Sequence, residues 1–196
     1  ATAVPNWTLQ EASSLGVTAQ TPESAAGDID GDGDIDLAFI STGKLDILYQ
    51  EAGGTFTHQA KTTASDGTTE SVYGIALIDV DGNIDGNNRL DIITIGSHDA
   101  TQSPNRIYVN NDNGTFTESL DLPIAYGQTG RHNDITVGDF NGDGLDDFSM
   151  YWNTRGYLVF HINKTTVANT PAEFEYASVK ADNYAQPQSS LGDYDG

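Results

Sequence analysis

Three short stretches of this 196-residue chain set side-chain oxygens at regular intervals. Residues 27–36 read GDIDGDGDID, residues 138–147 read GDFNGDGLDD, and residues 79–91 read DVDGNIDGNNRLD, the same pattern with four extra residues. In the first loop, Asp28, Asp30, Asp32 and Asp36 occupy positions 1, 3, 5 and 9, and Asp34 at position 7 offers its carbonyl. The third loop repeats this with Asp139, Asn141, Asp143 and Asp147, and the Leu145 carbonyl stands at position 7. The second loop supplies Asp79, Asp81 and Asp91, with the Arg89 carbonyl at position 7; either Asn87 or Asp85 fills its middle place. Carboxylates this close repel one another unless a cation lies among them. Hard oxygen donors on a flexible loop select Ca²⁺ over zinc or copper, and suit Mg²⁺ less because it keeps its waters in a tight octahedron.

An EF-hand would need a Glu at position 12 and flanking helices. Position 12 is Phe39 in the first loop and Met150 in the third, and strand-like sequence follows both. The loops are therefore expected at the tips of β-hairpins, with all their ligands local and the cation structural. The competing reading is that the Asp residues only cap turns.

The elements that position these loops repeat with them. The first Asp of each copy is Asp28, Asp79, Asp139 and, in the closing GDYDG, Asp193, at steps of 51, 60 and 54 residues. Apolar runs follow each loop (37–40, 90–95 and 148–152), and second runs follow those (45–49, 107–109 and 157–162). Gly-Thr-Phe-Thr then recurs at 54–57 and 114–117, and Phe174 fills the same place in the third copy. A further apolar run precedes each loop, as at 72–80 and 135–140. Ile, Val, Phe, Tyr and Thr dominate these runs, Gly, Asn and Asp separate them, and no helical period is sustained. Four strands in each unit of about 50 residues predict an all-β fold of β-propeller blades, each a four-stranded antiparallel sheet. The units are expected over 25–70, 71–130 and 131–185, with a partial fourth over 186–196, all within one propeller segment. Three blades and a fourth begun do not close a ring. The expectation is a segment of a larger propeller, or one completed by another chain. Trp7-Thr8-Leu9 is a candidate outer strand.

On these motifs the chain resembles the FG-GAP/VCBS repeats, the blades of integrin-α-like propellers and of many secreted bacterial proteins. The resemblance covers about residues 25–180 and implies a calcium-stabilised propeller, without fixing one activity.

Composition narrows the partners. Asp and Glu number 29 against 8 Lys and Arg, a net charge of −21, and the acid is mostly Asp (22) rather than Glu (7). Such a surface repels nucleic-acid backbones and anionic membranes. No run is long enough to span a bilayer as a helix. The chain lacks cysteine, so disulfides, thiolate metal sites and a Cys nucleophile are excluded. The first seven residues carry no leader-like segment. A cysteine-free chain that uses bound cations fits a secreted or cell-surface setting. The sequons at Asn6, Asn113 and Asn163 are read as marking surface.

Standard catalytic motifs are absent, and the four His are scattered. If the acidic loops share one end of the blades, the loops at the other end collect Tyr73, His98, Tyr126, Arg131, His132, Trp152 and Arg155. In integrin-like relatives that opposite face binds ligands. Tyr126, Arg131, His132, Trp152 and Arg155 are the candidates for contacting an extracellular glycan or protein; ordinary rim or core packing is the alternative for each. The expected function is a calcium-binding module in adhesion or recognition. Two alternatives are a polysaccharide lyase using Tyr126, Arg131 and His132, and a structural spacer in a large surface protein.

Overall fold

The computed structural model describes residues 12–15, 17, 23–41, 44–62, 72–81, 89–98, 105–111, 115–120, 130–153, 156–166 and 173–180. Within them the chain forms three four-stranded antiparallel sheets, each a meander in chain order. The first comprises β1 (Ser24–Gly27), β2 (Asp36–Ser41), β3 (Lys44–Glu51) and β4 (Thr55–Thr62). The second comprises β5 (Val72–Ile78), β6 (Asp91–His98), β7 (Arg106–Asn110) and β8 (Phe116–Leu120). The third comprises β9 (Gly130–Gly138), β10 (Asp147–Trp152), β11 (Tyr157–Asn163) and β12 (Phe174–Lys180). The helical element among the described residues is one 3₁₀ turn, Ala12–Leu15.

The leading strands lie side by side, β1 against β5 and β5 against β9, so the sheets fan out like propeller blades. Among the described residues the three sheets do not close a ring. A two-residue ladder, Ser97 with Arg131 and His98 with Gly130, ties β6 to β9. The segment around Trp7 lies outside the described residues.

The core lies between blades. One cluster joins Ile29, Ala38, Ile40, Leu45 and Ile47 of the first blade to Ile75, Ile92 and Tyr108 of the second. A second joins Ile78, Val80, Ile93, Ile107 and Val109 to Phe148 of the third. Because the sheets pack face to face, the second strand is covered on both sides: β6 is buried from Asp91 through Gly96, and β10 throughout. That explains its continuous rather than alternating apolar sequence. The repeated aromatic keeps its register, with Phe56, Phe116 and Phe174 paired to Gln50, Asn110 and Asn163. Phe116 packs on the first cluster and Phe174 on the second.

β-Bulges interrupt the leading strands of the second and third blades. Tyr73 is the extra residue opposite β6, and Asp134 opposite β10, where it takes φ 57°. Bulges sharpen the local twist and re-aim the strand end. Both fall at the end of the sheets away from the acidic loops.

Candidate metal centre

Each acidic loop joins the first two strands of its blade, and the loops gather at one end. The first residue of the loop organises the turn. Asp28 Oδ1 accepts from Gly31 N (2.7 Å) and Oδ2 from Gly33 N (2.9 Å). Asp139 does the same with Gly142 N (2.7 Å) and Gly144 N (2.9 Å). All four glycines have φ between 78° and 93°, a region where a side chain would be strained.

The last residue of the loop anchors its base. Asp36 Oδ2 accepts from Ile29 N (2.8 Å) and Oδ1 from Gln50 N (2.8 Å). Asp91 accepts from Val80 N (2.9 Å) and Asn110 N (2.7 Å). Asp147 accepts from Phe140 N (2.8 Å) and Asn163 N (2.7 Å). Each carboxylate is buried and fastens its loop to the end of the third strand. This anchoring role is not visible in the sequence, where position 9 reads only as another oxygen.

In the first loop, Asp28, Asp30 and Asp36 present oxygens within 4.8 Å of one another. Burial raises the Asp30 carboxyl, and the charges of Asp36, Asp32 and Asp28 raise it further. Burial also raises Asp36, against the lowering effect of its backbone donors. Beside them, burial and the charges of Asp36 and Asp30 push the Tyr49 hydroxyl up to about 12. Burial is the first cause of each shift and neighbouring carboxylate charge a lesser one, and a bound divalent cation would favour the ionised forms. The donor set is all oxygen and its carboxylates retain free lone pairs, so it fits a hard cation. Asp32 and Asp34 sit at the tip, their N–H groups held by Asp30 and Asp32 respectively.

In the third loop, Asn141 replaces the central acid and its amide donates to Asp143 (3.0 Å). Asp139 is lowered, first by the Gly144 N–H and then by those of Gly142 and Asp143. Lys164 lies 4.0 Å from Asp143, and Leu145 N bonds to Asp143 Oδ1 (3.0 Å). The second loop is described only at its ends. Asp79, Asp81, Arg89 and Asp91 are placed, and Asp85 and Asn87 lie outside the described residues. Burial pushes Asp91 up to about 7, with Asp81 and Asp79 adding to the rise. Arg89 directs its side chain to the first loop: a Cβ on Gly31 would meet its Cγ and Nε at 3.4 Å.

At the opposite end, His132 and Trp152 are buried, at 0% and 2% exposure. Their rings lie 5.6 Å apart, and Asn105 Nδ2 stands 3.3 Å from His132 Nδ1. As placed, both side chains are packed in the interior, the alternative weighed for them in the sequence. His132 equally offers no exposed acid or base for a lyase. Tyr126 and Arg155 lie outside the described residues; Arg131 is described only as backbone in β9, as is His98 in β6. Of the other histidines, His58 pairs with Asp46 at 2.7 Å, and His161 is stacked on Phe148 with ring centroids 4.3 Å apart. Asn163, expected at the surface as a sequon, is fully buried. Its amide donates to Val80 O (2.8 Å) and Asp146 O (3.1 Å).

A family profile for the FG-GAP-like repeat matches residues 28–83 and 83–150. The match covers more than half of the chain, which therefore belongs to the FG-GAP repeat family. None of the curated proteins matches it.

Proposed function

We propose that this FG-GAP module binds Ca²⁺ at its acidic loops and serves a secreted or cell-surface protein in adhesion or in recognition of a glycan or protein. The observation that carries the calcium reading is the convergence of Asp28, Asp30 and Asp36 in a loop whose sequence pattern recurs in each blade. Asp28, Asp30, Asp32 and Asp36, with the Asp34 carbonyl, would hold the ion in the first loop. Asp139, Asn141, Asp143 and Asp147, with the Leu145 carbonyl, would do so in the third, and Asp79, Asp81 and Asp91 belong to the second. The ion would supply positive charge that offsets carboxylate repulsion and stabilises the folded form by linkage. Asp28 and Asp139 hold the turn, and the buried Asp36, Asp91 and Asp147 hold its base, so the oxygens are largely organised in advance.

The acidic surface favours neutral or cationic partners over polyuronates. Calorimetric titration of chelator-treated protein with Ca²⁺, with metal analysis before and after, tests the ion. An absence of binding overturns that reading. Glycan-array binding without release of unsaturated products from pectin or alginate supports recognition; an absorbance rise from such products would establish a lyase instead.

A further inference from the structure

The acidic loops are joined to one another through buried side chains that the sequence places some 80 residues apart. Asn110, at the end of β7 in the second blade, donates from Nδ2 to Ile29 O in the first loop (2.7 Å) and to Leu90 O in its own (3.3 Å). Asn163, at the equivalent place in the third blade, donates to Val80 O in the second loop (2.8 Å) and to Asp146 O in its own (3.1 Å). The backbone N–H of each Asn is held by the anchoring carboxylate of its own loop, Asp91 or Asp147. The chain of contacts is therefore continuous. It runs from Phe140 N through Asp147, Asn163, Val80, Asp91, Asn110 and Ile29 to Asp36.

Positions 7 and 8 of the second loop, and position 8 of the third, make a second connection. Leu90 Cδ1 stands 2.7 Å from where a Cβ on Gly27 would lie, and Arg89 lies against Gly31. Asp146 Oδ2 accepts from Asp79 N at 3.1 Å. The contacts that cross between blades each run from one blade to the blade before it.

We propose that Asn110 and Asn163 are positioning residues that wire each acidic loop to the following blade, so that the order of one loop, and its affinity for a cation, depend on the blade after it. The part concerning the cation rests on the calcium reading above; the wiring does not. A buried carboxamide that satisfies two carbonyls in two blades costs free energy when either side moves, which is the physical content of coupling. The coupling is reciprocal: a ligand that orders the first loop tightens the second blade to the same degree.

Hydrogen exchange of the metal-free, full chain, resolved by peptide mass spectrometry, tests the wiring. Asn110→Ala is expected to speed exchange in residues 29–36, in the other blade, by about tenfold, roughly one lost buried hydrogen bond. Residues 140–147 should not change. Asn163→Ala should speed residues 79–81 and 89–91 more than 29–36. Asn110→Asp keeps the shape but turns an acceptor toward two carbonyls, so it should match or exceed the alanine effect at pH 7. If Asn110 only fills space, the similarly shaped Asn110→Leu, which has no N–H to donate, will exchange like the wild type, and the proposal fails. It fails also if the change stays in the second blade or spreads equally to all three loops. Should Asn110→Ala not fold, Asn110→Ser removes the reach with less loss of packing.

The cation half is read by Ca²⁺ titration of the same variants, followed by the NMR amide signals of Gly31, Gly33, Gly142 and Gly144. Asn110→Ala should weaken binding at the first pair about tenfold and leave the second pair unchanged. Absence of Ca²⁺ binding in the wild type overturns the calcium reading while the exchange pattern stands. Normal binding with no exchange effect across blades overturns the wiring alone.

Discussion

The first and third acidic loops share a backbone and differ in how they carry charge. In both, the leading Asp bonds the equivalent two glycines and the closing Asp bonds one loop position and one third-strand position, with distances that agree within 0.1 Å. Yet the first loop raises Asp30 and Asp36, while the third lowers Asp139. Burial is the first cause at Asp30 and Asp36, whereas backbone N–H donors, Gly144 first, lower Asp139. Asp30 adds a third carboxylate to a crowded group, whereas Asn141 brings an N–H donor to Asp143. Geometry is thus set by the glycines and the anchoring acids, and position 3 decides whether a further carboxylate joins the group.

The largest effect that would break this comparison comes from the anchors. Asp36→Ala and Asp147→Ala each strand two backbone N–H groups, and each should cost about 2–5 kcal/mol in chemical denaturation. Asp143→Ala, at the exposed tip, should stay within about 0.5 kcal/mol. Equal losses at base and tip would contradict the division of roles.

Calcium comes next. At a free concentration a hundredfold above its Kd, one site contributes about 2.7 kcal/mol, which raises Tm by about 5–10 °C for a chain of this size. Asp30→Asn, which converts the first loop toward the third, should shrink that rise while stabilising the chelated protein. Scanning calorimetry with and without EDTA measures both.

The pH response sharpens the contrast by its sign. In chelated protein the folded Asp91 carboxyl sits at about 7, above its unfolded value. The folded state keeps the extra proton between the two, so the contribution of Asp91 is full at low pH and is lost as the pH rises through about 7. Asp139 has the reverse sign: it is lowered by folding, so its contribution is present at neutral pH and lost as the pH falls through its folded value. Asp91→Asn should therefore flatten the fall in stability between pH 5 and 8, as measured by denaturation at each pH.

The smallest effect belongs to Lys164. It is half-exposed and 4.0 Å from Asp143. Lys164→Gln should change stability by less than about 0.5 kcal/mol, with little dependence on salt.

Much of the fold was legible because it is written three times. Four strand-like runs around a Gly-Asp loop, repeated in phase, left little choice of architecture, and the Phe of Gly-Thr-Phe-Thr kept its register to the residue. The loop positions were legible for the same reason: Gly and Asp at fixed spacing describe a turn and its oxygens. What failed was any judgement that depended on a neighbour. His132 and Trp152 read as ligand candidates with ordinary packing as the alternative, and the sequence could not decide between these because the ladder between β6 and β9, which lies at that end of the blades, pairs strands of two different blades. Asn163 read as a surface sequon, but the second blade's Val80 carbonyl lies over it.

The sequence by itself determined the blade, its strands, its turn glycines and the oxygens of its loops, because each depends on residues close along the chain. Only the tertiary structure decided which acids became buried anchors, which polar groups became interior, and how one loop meets the next. Those outcomes depend on sheets packed face to face, where a side chain's partner is set by the adjacent blade.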